Sequence, residues 1–147
     1  MKIVKQAMGI IKQAIKKHNK KFLEIQINGA ENTGDSFVDA EQITDAISNI
    51  FSNAIESYFD ANGPIKVLVS NNNEYIQIKI SDSGCGMDDA TVAKATEPFF
   101  SAKPAGRQRG IGLAQAKRLI ELNKGTLNLT SQLDLGTTAT ISLPISN

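Results

Sequence analysis

Two asparagines four residues apart, Asn49 and Asn53, are the first residues whose type and spacing could do chemistry. Residues at this spacing share one face of a helix, one turn from each other. An amide oxygen can ligate Mg²⁺ without cancelling the charge of the ion, which leaves that charge available to phosphate groups. The alternative is an ordinary solvent-facing polar stripe on an amphipathic helix, and the pair taken alone favours that interpretation.

A second cluster, Asp82-Ser83-Gly84-Cys85-Gly86, directly follows a segment with the periodicity of a strand. An ionised Asp82 would accept hydrogen bonds from an exocyclic amine, and such charge-assisted bonds are the stronger ones. Gly84 and Gly86 have no Cβ atom and would let the backbone approach a planar ligand. A glycine-rich turn is the competing interpretation, because so short a motif is weak by itself.

A third segment, from Lys103 to Gly112, carries cations and glycines ahead of the last helical pattern. A glycine-rich loop that leads into a helix N-terminus is an anion site, because free amide N–H groups and the helix dipole face the ligand. Lys103, Arg107 and Arg109 would add positive charge for a triphosphate. A plain flexible loop explains the glycines equally well. The G-x-G-x-x-G spacing of dinucleotide-binding folds is absent, which excludes that class.

The composition excludes several other functions. Sixteen Lys and Arg against fifteen Asp and Glu give a net charge of +1, which argues against a general nucleic-acid binder. The single histidine, His18, and the single cysteine, Cys85, exclude a multi-histidine metal site and an internal disulfide. No apolar run reaches the roughly 18 residues of a membrane span. The sequence therefore predicts a soluble, cytoplasmic domain.

The elements that must position these residues follow from the hydrophobic period, which alternates between helical and strand values. Helical periodicity covers residues 1–20 and 40–59, a short piece near 88–95, and a segment from Gly110 onward. Alternating apolar and polar residues predict strands at 22–27, 65–69, 76–80, 127–129 and 139–143. Each strand buries only one face, unlike the strands of all-parallel sheets. We predict an α+β fold in one domain over residues 1–147, a two-layer α/β sandwich whose mixed, mostly antiparallel sheet is covered on one face by three helices.

Five motifs occur in order over about residues 40–143. They are Asn49-x-x-x-Asn53-Ala54, Asp82-x-Gly84-x-Gly86, Glu97-Pro98-Phe99-Phe100, Gly110-x-Gly112-Leu113 and Gly136-Thr137-Thr138. In this order and spacing they resemble the N, G1, F, G2 and G3 boxes of histidine kinase catalytic domains. Those domains share the Bergerat ATP-binding fold with gyrase, Hsp90 and MutL. Each motif is weak alone, but five in register are specific, and the pattern is most similar to nitrogen-regulation-type sensor kinases.

The resemblance implies ATP and Mg²⁺ as cofactors. Asn53 would hold the metal ion, and Asn49, Asn53 and Lys103 would be the catalytic residues. Asp82 would bind the adenine amine, with Thr137 beside it, and a mobile lid would close between the F and G2 boxes. The implied nucleotide contacts are Asn49, Asn53, Asp82, Gly84, Gly86, Phe99, Phe100, Lys103, Arg107, Arg109, Gly110, Ile111, Gly112, Leu113 and Thr137.

The implied reaction is γ-phosphoryl transfer to a histidine on a separate dimerisation domain, from which the receiver domain of a response regulator would be charged. The dimerisation hairpin is not recognisable in the sequence, and His18 is interpreted as an ordinary helix-end histidine. An anti-sigma-type serine kinase is one alternative. Asn49 argues against it, because those relatives carry a glutamate base at this place. A nucleotide-binding pseudo-kinase that serves as an interaction module is the other, and the retained Asn53 and Asp82 argue against it.

Overall fold

The computed structural model of the chain describes residues 25–29, 38–58, 63–71, 74–97 and 112–145. Within these residues the chain forms five strands and three helices. The strands are β1 (Ile25–Gly29), β2 (Ile65–Asn71), β3 (Tyr75–Asp82), β4 (Thr126–Gln132) and β5 (Gly136–Pro144). The helices are α1 (Ala40–Glu56), α2 (Asp89–Lys94) and α3 (Gly112–Leu122). The helix predicted over residues 1–20 lies outside the described residues.

The strands form one mixed sheet in the order β1-β2-β3-β5-β4. β1 and β2 are parallel, and the other three pairs are antiparallel. The predicted hairpin over residues 65–80 is confirmed as β2 and β3, and the last two predicted strands are confirmed as β4 and β5. The mixed, mostly antiparallel sheet of an α+β fold is therefore confirmed.

The sheet buries one face, as the alternation of apolar residues predicts. In β3, Ile76, Ile78 and Ile80 are buried while the residues between them are half-buried or exposed. α1 packs against α3 above this inner face, and these two helices carry the buried helical side chains. The short α2 has none, so it contributes little to the cover of the sheet. The largest fully buried side chains are Phe51, Ile43, Ile47, Ile65, Ile76, Ile78, Ile80, Ile120, Ile141 and Leu143.

Side-chain hydrogen bonds fix the relative position of α1 and α3. Asp39 caps α1, because its Oδ1 atom accepts a hydrogen bond of 3.1 Å from the Gln42 N–H. Asn123, buried just after α3, accepts from the Asp39 N–H at 2.8 Å and donates to the Gln42 side chain at 2.9 Å. The end of α3 is thereby tied to the start of α1. None of the helices in the described part of the chain has the length and apolarity needed to cross a membrane.

Candidate functional site

Across β2, β3, β5 and β4 the described inner-face residues are apolar except at one end, where three adjacent strands each place a polar residue. These residues are Asp82 in β3, Thr137 in β5 and Ser131 in β4, and we call them the polar row. The register of β4 and β5 pairs Ser131 with Thr137. The register of β3 and β5 pairs the preceding residue, Ser81, with Thr138, so Asp82 adjoins Thr137. Asp82 is only 8% exposed and Thr137 only 6% exposed.

Backbone N–H groups orient the Asp82 carboxylate. Its Oδ1 atom accepts hydrogen bonds from the Gly84 N–H at 3.0 Å and from the Thr137 N–H at 3.3 Å. A buried carboxylate is costly unless such bonds compensate for the lost water. The bonds from both sides hold the carboxylate at the end of the apolar face, where it can accept a hydrogen bond from a ligand amine.

The loop after Asp82 is packed tightly against the protein itself. A Cβ atom on Gly84 would collide with the side chain of Ser57, and one on Gly86 would collide with the Gln132 carbonyl. Gly86 also has a φ of +68°, a conformation that favours glycine. The Cys85 N–H donates to the Ser57 carbonyl at 3.0 Å. The close approaches visible here are between protein groups, and the role of these glycines toward a ligand stays a prediction.

Tyr58 holds the same loop from the end of α1. Its hydroxyl accepts a hydrogen bond from the Ser83 N–H and donates one to the Pro64 carbonyl, both at 2.6 Å. One side chain thus joins the residue after Asp82 to the residue before β2. The sequence pattern includes Tyr58 in the helix predicted over residues 40–59 and does not reveal this role.

The asparagine stripe on α1 lies beside the start of α3. Asn49 and Asn53 are both half-buried. The Nδ2 atom of Asn49 is 3.5 Å from Oε1 of Gln115, at the outer limit of a hydrogen bond, and Gln115 belongs to the first turn of α3. This turn also contains Gly112 and Leu113, two of the implied nucleotide contacts. The stripe is therefore partly covered by α3 and is not a purely solvent-facing surface.

The structure places eight of the fifteen predicted nucleotide contacts in two groups. Asp82, Gly84, Gly86 and Thr137 lie at or beside the polar row, while Asn49 and Asn53 lie on α1 and Gly112 and Leu113 lie in the first turn of α3. The last turn of α1 joins the groups, because the Ser57 N–H donates to the Asn53 carbonyl while the Ser57 carbonyl accepts from Cys85. The other predicted contacts lie outside the described residues: Phe99, Phe100, Lys103, Arg107, Arg109, Gly110 and Ile111.

Sequence analysis also missed Ser131, although a signal for it exists. Leu127, Leu129 and Ser131 alternate on the same face of β4, so Ser131 is a polar residue at an inward position. A polar residue that interrupts an apolar face needs a partner there, and this would have identified Ser131 as a candidate.

Residues 38–147 match the family described as histidine kinase-, DNA gyrase B-, and HSP90-like ATPases. The chain belongs to this ATPase family, and the predicted class of ATP-binding domain is confirmed. Sporulation kinase B of Bacillus subtilis (strain 168) is 37% identical over 106 residues, which are 72% of this chain and 24% of that protein. The heme sensor protein HssS of Staphylococcus saprophyticus is 38% identical over 97 residues, which are 66% of this chain and 21% of that protein.

The fold is also found among solved structures. The mycobacterial sensor histidine kinase MprB superposes with a TM-score of 0.81 at 20% identity, and the match covers 94% of this chain and 93% of that chain. At this identity the likeness shows the fold alone. The chain thus spans less than a quarter of the length of each curated relative named above, while the fold of a solved kinase chain is matched almost completely.

Proposed function

We propose that this chain is the ATP-binding catalytic domain of a sensor histidine kinase, which transfers the γ-phosphoryl group of ATP to a histidine on a separate dimerisation domain. The observation that carries the proposal is the buried Asp82 carboxylate, oriented by two backbone N–H groups at the end of the inner sheet face. The exocyclic amine of adenine is the donor that such an acceptor suits, and a charged acceptor makes the bond stronger.

The phosphates are proposed to lie beside α1, near the first turn of α3. The N-terminus of a helix of 11 residues carries a partial positive charge and attracts anions. The contact of Asn49 with Gln115 in this turn supports a role for its uncharged polar side chain near the phosphates. Lys103, Arg107 and Arg109 are proposed to add positive charge there, on the basis of the sequence.

Mg²⁺ is part of the proposal, with Asn53 as its protein ligand. Within the described residues there is no group of three or more His, Cys, Asp or Glu side chains that could hold a metal ion. A hard amide oxygen fits an ion that keeps several waters and takes its remaining ligands from phosphate groups. When bound, the ion neutralises charge on the phosphates. The Asn49 amide does not take up a proton at neutral pH and cannot activate water as a base, so we expect slow hydrolysis.

The domain boundaries and partners are also proposals. β1 precedes the family match at residue 38 and pairs with β2, which supports one catalytic domain over the whole chain. The proposed partners are a dimerisation domain that carries the phosphoacceptor histidine and the receiver domain of a response regulator, with the reaction in the cytoplasm. The curated relatives are named as kinases and sensor proteins, which supports these partners.

Phosphoryl transfer in trans tests this function. The chain is incubated with labelled Mg-ATP, alone and with a separately prepared histidine kinase hairpin that carries a phosphoacceptor histidine. The control is the same hairpin with its acceptor histidine replaced by glutamine. We expect acid-labile phosphohistidine on the unaltered hairpin only, and little ATP turnover by the chain alone, since general-base help is typically worth about 10²–10⁴-fold.

The other outcomes identify the alternatives. Acid-stable phosphoserine on an added partner protein would favour an anti-sigma-type serine kinase. Nucleotide binding without transfer to any hairpin or partner would favour an interaction module. Rapid labelling of the isolated chain that is lost in His18→Gln would contradict the proposal, because the acceptor would then lie in this chain.

A further inference from the structure

We propose that Ser131 is a positioning residue that fixes the hydroxyl of Thr137 and so determines which purine edge the site accepts. This inference rests on the proposed function, because it assumes that the base lies at the polar row. Ser131 is half-buried at an inward position of β4, directly opposite Thr137 in β5. Thr137 in turn adjoins Asp82. Ser131 would therefore act on the base through Thr137.

The hydrogen bonds of Ser131 determine the direction of the bond to Thr137. The Ser131 Oγ atom accepts from the Met87 N–H at 2.8 Å and donates to the Gly136 carbonyl at 3.0 Å. It also lies 2.7 Å from Oγ1 of Thr137. A hydroxyl has one hydrogen and two acceptor lone pairs. A carbonyl oxygen can only accept, so the Gly136 bond uses the Ser131 hydrogen and the Met87 bond uses one lone pair. We therefore assign the Thr137 hydroxyl as the donor to the remaining lone pair.

The hydrogen of Thr137 is therefore directed at Ser131, and Oγ1 offers only lone pairs to any further partner. The Asp82 carboxylate beside it is also an acceptor. The polar row thus presents two adjacent acceptors at the end of a buried face, where an unpaired polar group is costly. Such an edge suits the amino group of adenine. The oxo group of hypoxanthine would meet two acceptors and be rejected.

A double-mutant cycle tests whether Ser131 acts through the Thr137 hydroxyl. Calorimetry measures the binding of ADP and of inosine diphosphate to the wild-type chain, Ser131→Ala, Thr137→Val and the double variant. Thr130→Ala is the matched control, because Thr130 is an exposed hydroxyl residue next to Ser131 on the opposite face of β4. Thermal unfolding confirms that each variant is folded. If Ser131→Ala does not fold, Ser131→Cys replaces it, since a thiol of similar size is only a weak acceptor.

We expect Ser131→Ala to weaken ADP binding by about 2–12-fold, the equivalent of one neutral hydrogen bond. The double variant should bind ADP no more weakly than Thr137→Val alone, because Ser131 has no hydroxyl to orient in that background. Binding of inosine diphosphate should weaken less, so that discrimination between the two nucleotides falls. Thr130→Ala should match the wild-type chain in both measurements.

Additive losses in the double variant, or equal losses for both nucleotides, would overturn the inference and leave Ser131 with a structural role only. ADP binding by Ser131→Ala that equals wild type would overturn it as well. In each of these cases the wild-type chain still binds ADP, so the proposed function survives. A wild-type chain that binds neither nucleotide would contradict the proposed function itself.

Discussion

Replacement of Asp82 by asparagine is the sharpest perturbation of the proposed base site, because it removes the charge and keeps the shape of the side chain. An amide oxygen can still accept from Gly84 and Thr137, as the carboxylate Oδ1 does at 3.0 and 3.3 Å. The second atom of the group changes from an acceptor to a donor. The N–H group of the asparagine would then face the amine of adenine, so that two donors meet and no hydrogen bond forms.

The expected loss follows from the type of bond. A hydrogen bond to a charged group contributes about 1.5–3 kcal/mol, which is roughly a 10–150-fold loss of ADP affinity. Asp82→Ala should weaken ADP binding at least as much and also destabilise the fold. It leaves two backbone N–H groups without their acceptor, at about 1–3 kcal/mol for each one that stays buried. Comparison of the two variants therefore separates binding from folding.

Calorimetry with ADP and thermal unfolding measure the two effects in the same preparations. Asp88→Asn is the matched control. Asp88 is an exposed aspartate six residues after Asp82, and its side chain caps α2. The ADP affinity of this variant should equal that of the wild-type chain. If Asp82→Asn is folded and binds ADP as tightly as the wild-type chain does, Asp82 does not bind the base.

Three further predictions concern the surroundings of the site. Asn53→Ala should weaken only the Mg²⁺-dependent part of ATP binding, because its amide is proposed to reach only the ion; calorimetry that finds no change with or without Mg²⁺ would make Asn53 structural. Tyr58→Phe removes the acceptor of the Ser83 N–H and the donor to the Pro64 carbonyl, and should lower the free energy of unfolding by about 1–3 kcal/mol in urea titrations, whereas no change would show that the two bonds contribute nothing. Hydrogen bonds from the Thr91 side chain and backbone N–H hold the pKa of Asp88 below its ordinary value, so this contribution to stability is present above the ordinary pKa and is lost as pH falls through the lowered one. An NMR titration of the Asp88 carboxyl should show the lowered pKa, and an ordinary value would contradict the cap.

The elements of the fold could be predicted from the sequence because they depend on local periodicity. The helix predicted over residues 40–59 is observed as α1 (Ala40–Glu56), and its apolar stripe is buried as expected. The strand order could not be predicted in this way. The parallel pairing of β1 with β2 depends on contacts between segments far apart in sequence, which alternation within each strand does not encode.

The residues of the candidate site also differ in whether local sequence could predict them. Asp82 and Thr137 stand in recognisable motifs, and the structure places them side by side. Ser131 and Tyr58 were missed, and each has a hydrogen-bond partner that is distant in sequence. Ser131 accepts from the N–H of Met87, 44 positions away, and Tyr58 accepts from the N–H of Ser83, 25 positions away. No spacing rule within one element could reveal such pairs.

Two glycines beside the polar row let segments of the protein pack closely against each other. Gly86, at a φ of +68°, and Gly136, at a φ of +121°, bring the loop after Asp82 and the turn between β4 and β5 into backbone contact. The Asp134 N–H then donates to the Cys85 carbonyl at 2.7 Å, which joins the two segments directly. These contacts and the two N–H groups that orient the Asp82 carboxylate all belong to the protein itself, so the carboxylate needs no ligand to be held in place. A preorganised acceptor has less conformational freedom to lose on binding, so more of its hydrogen-bond energy remains as affinity.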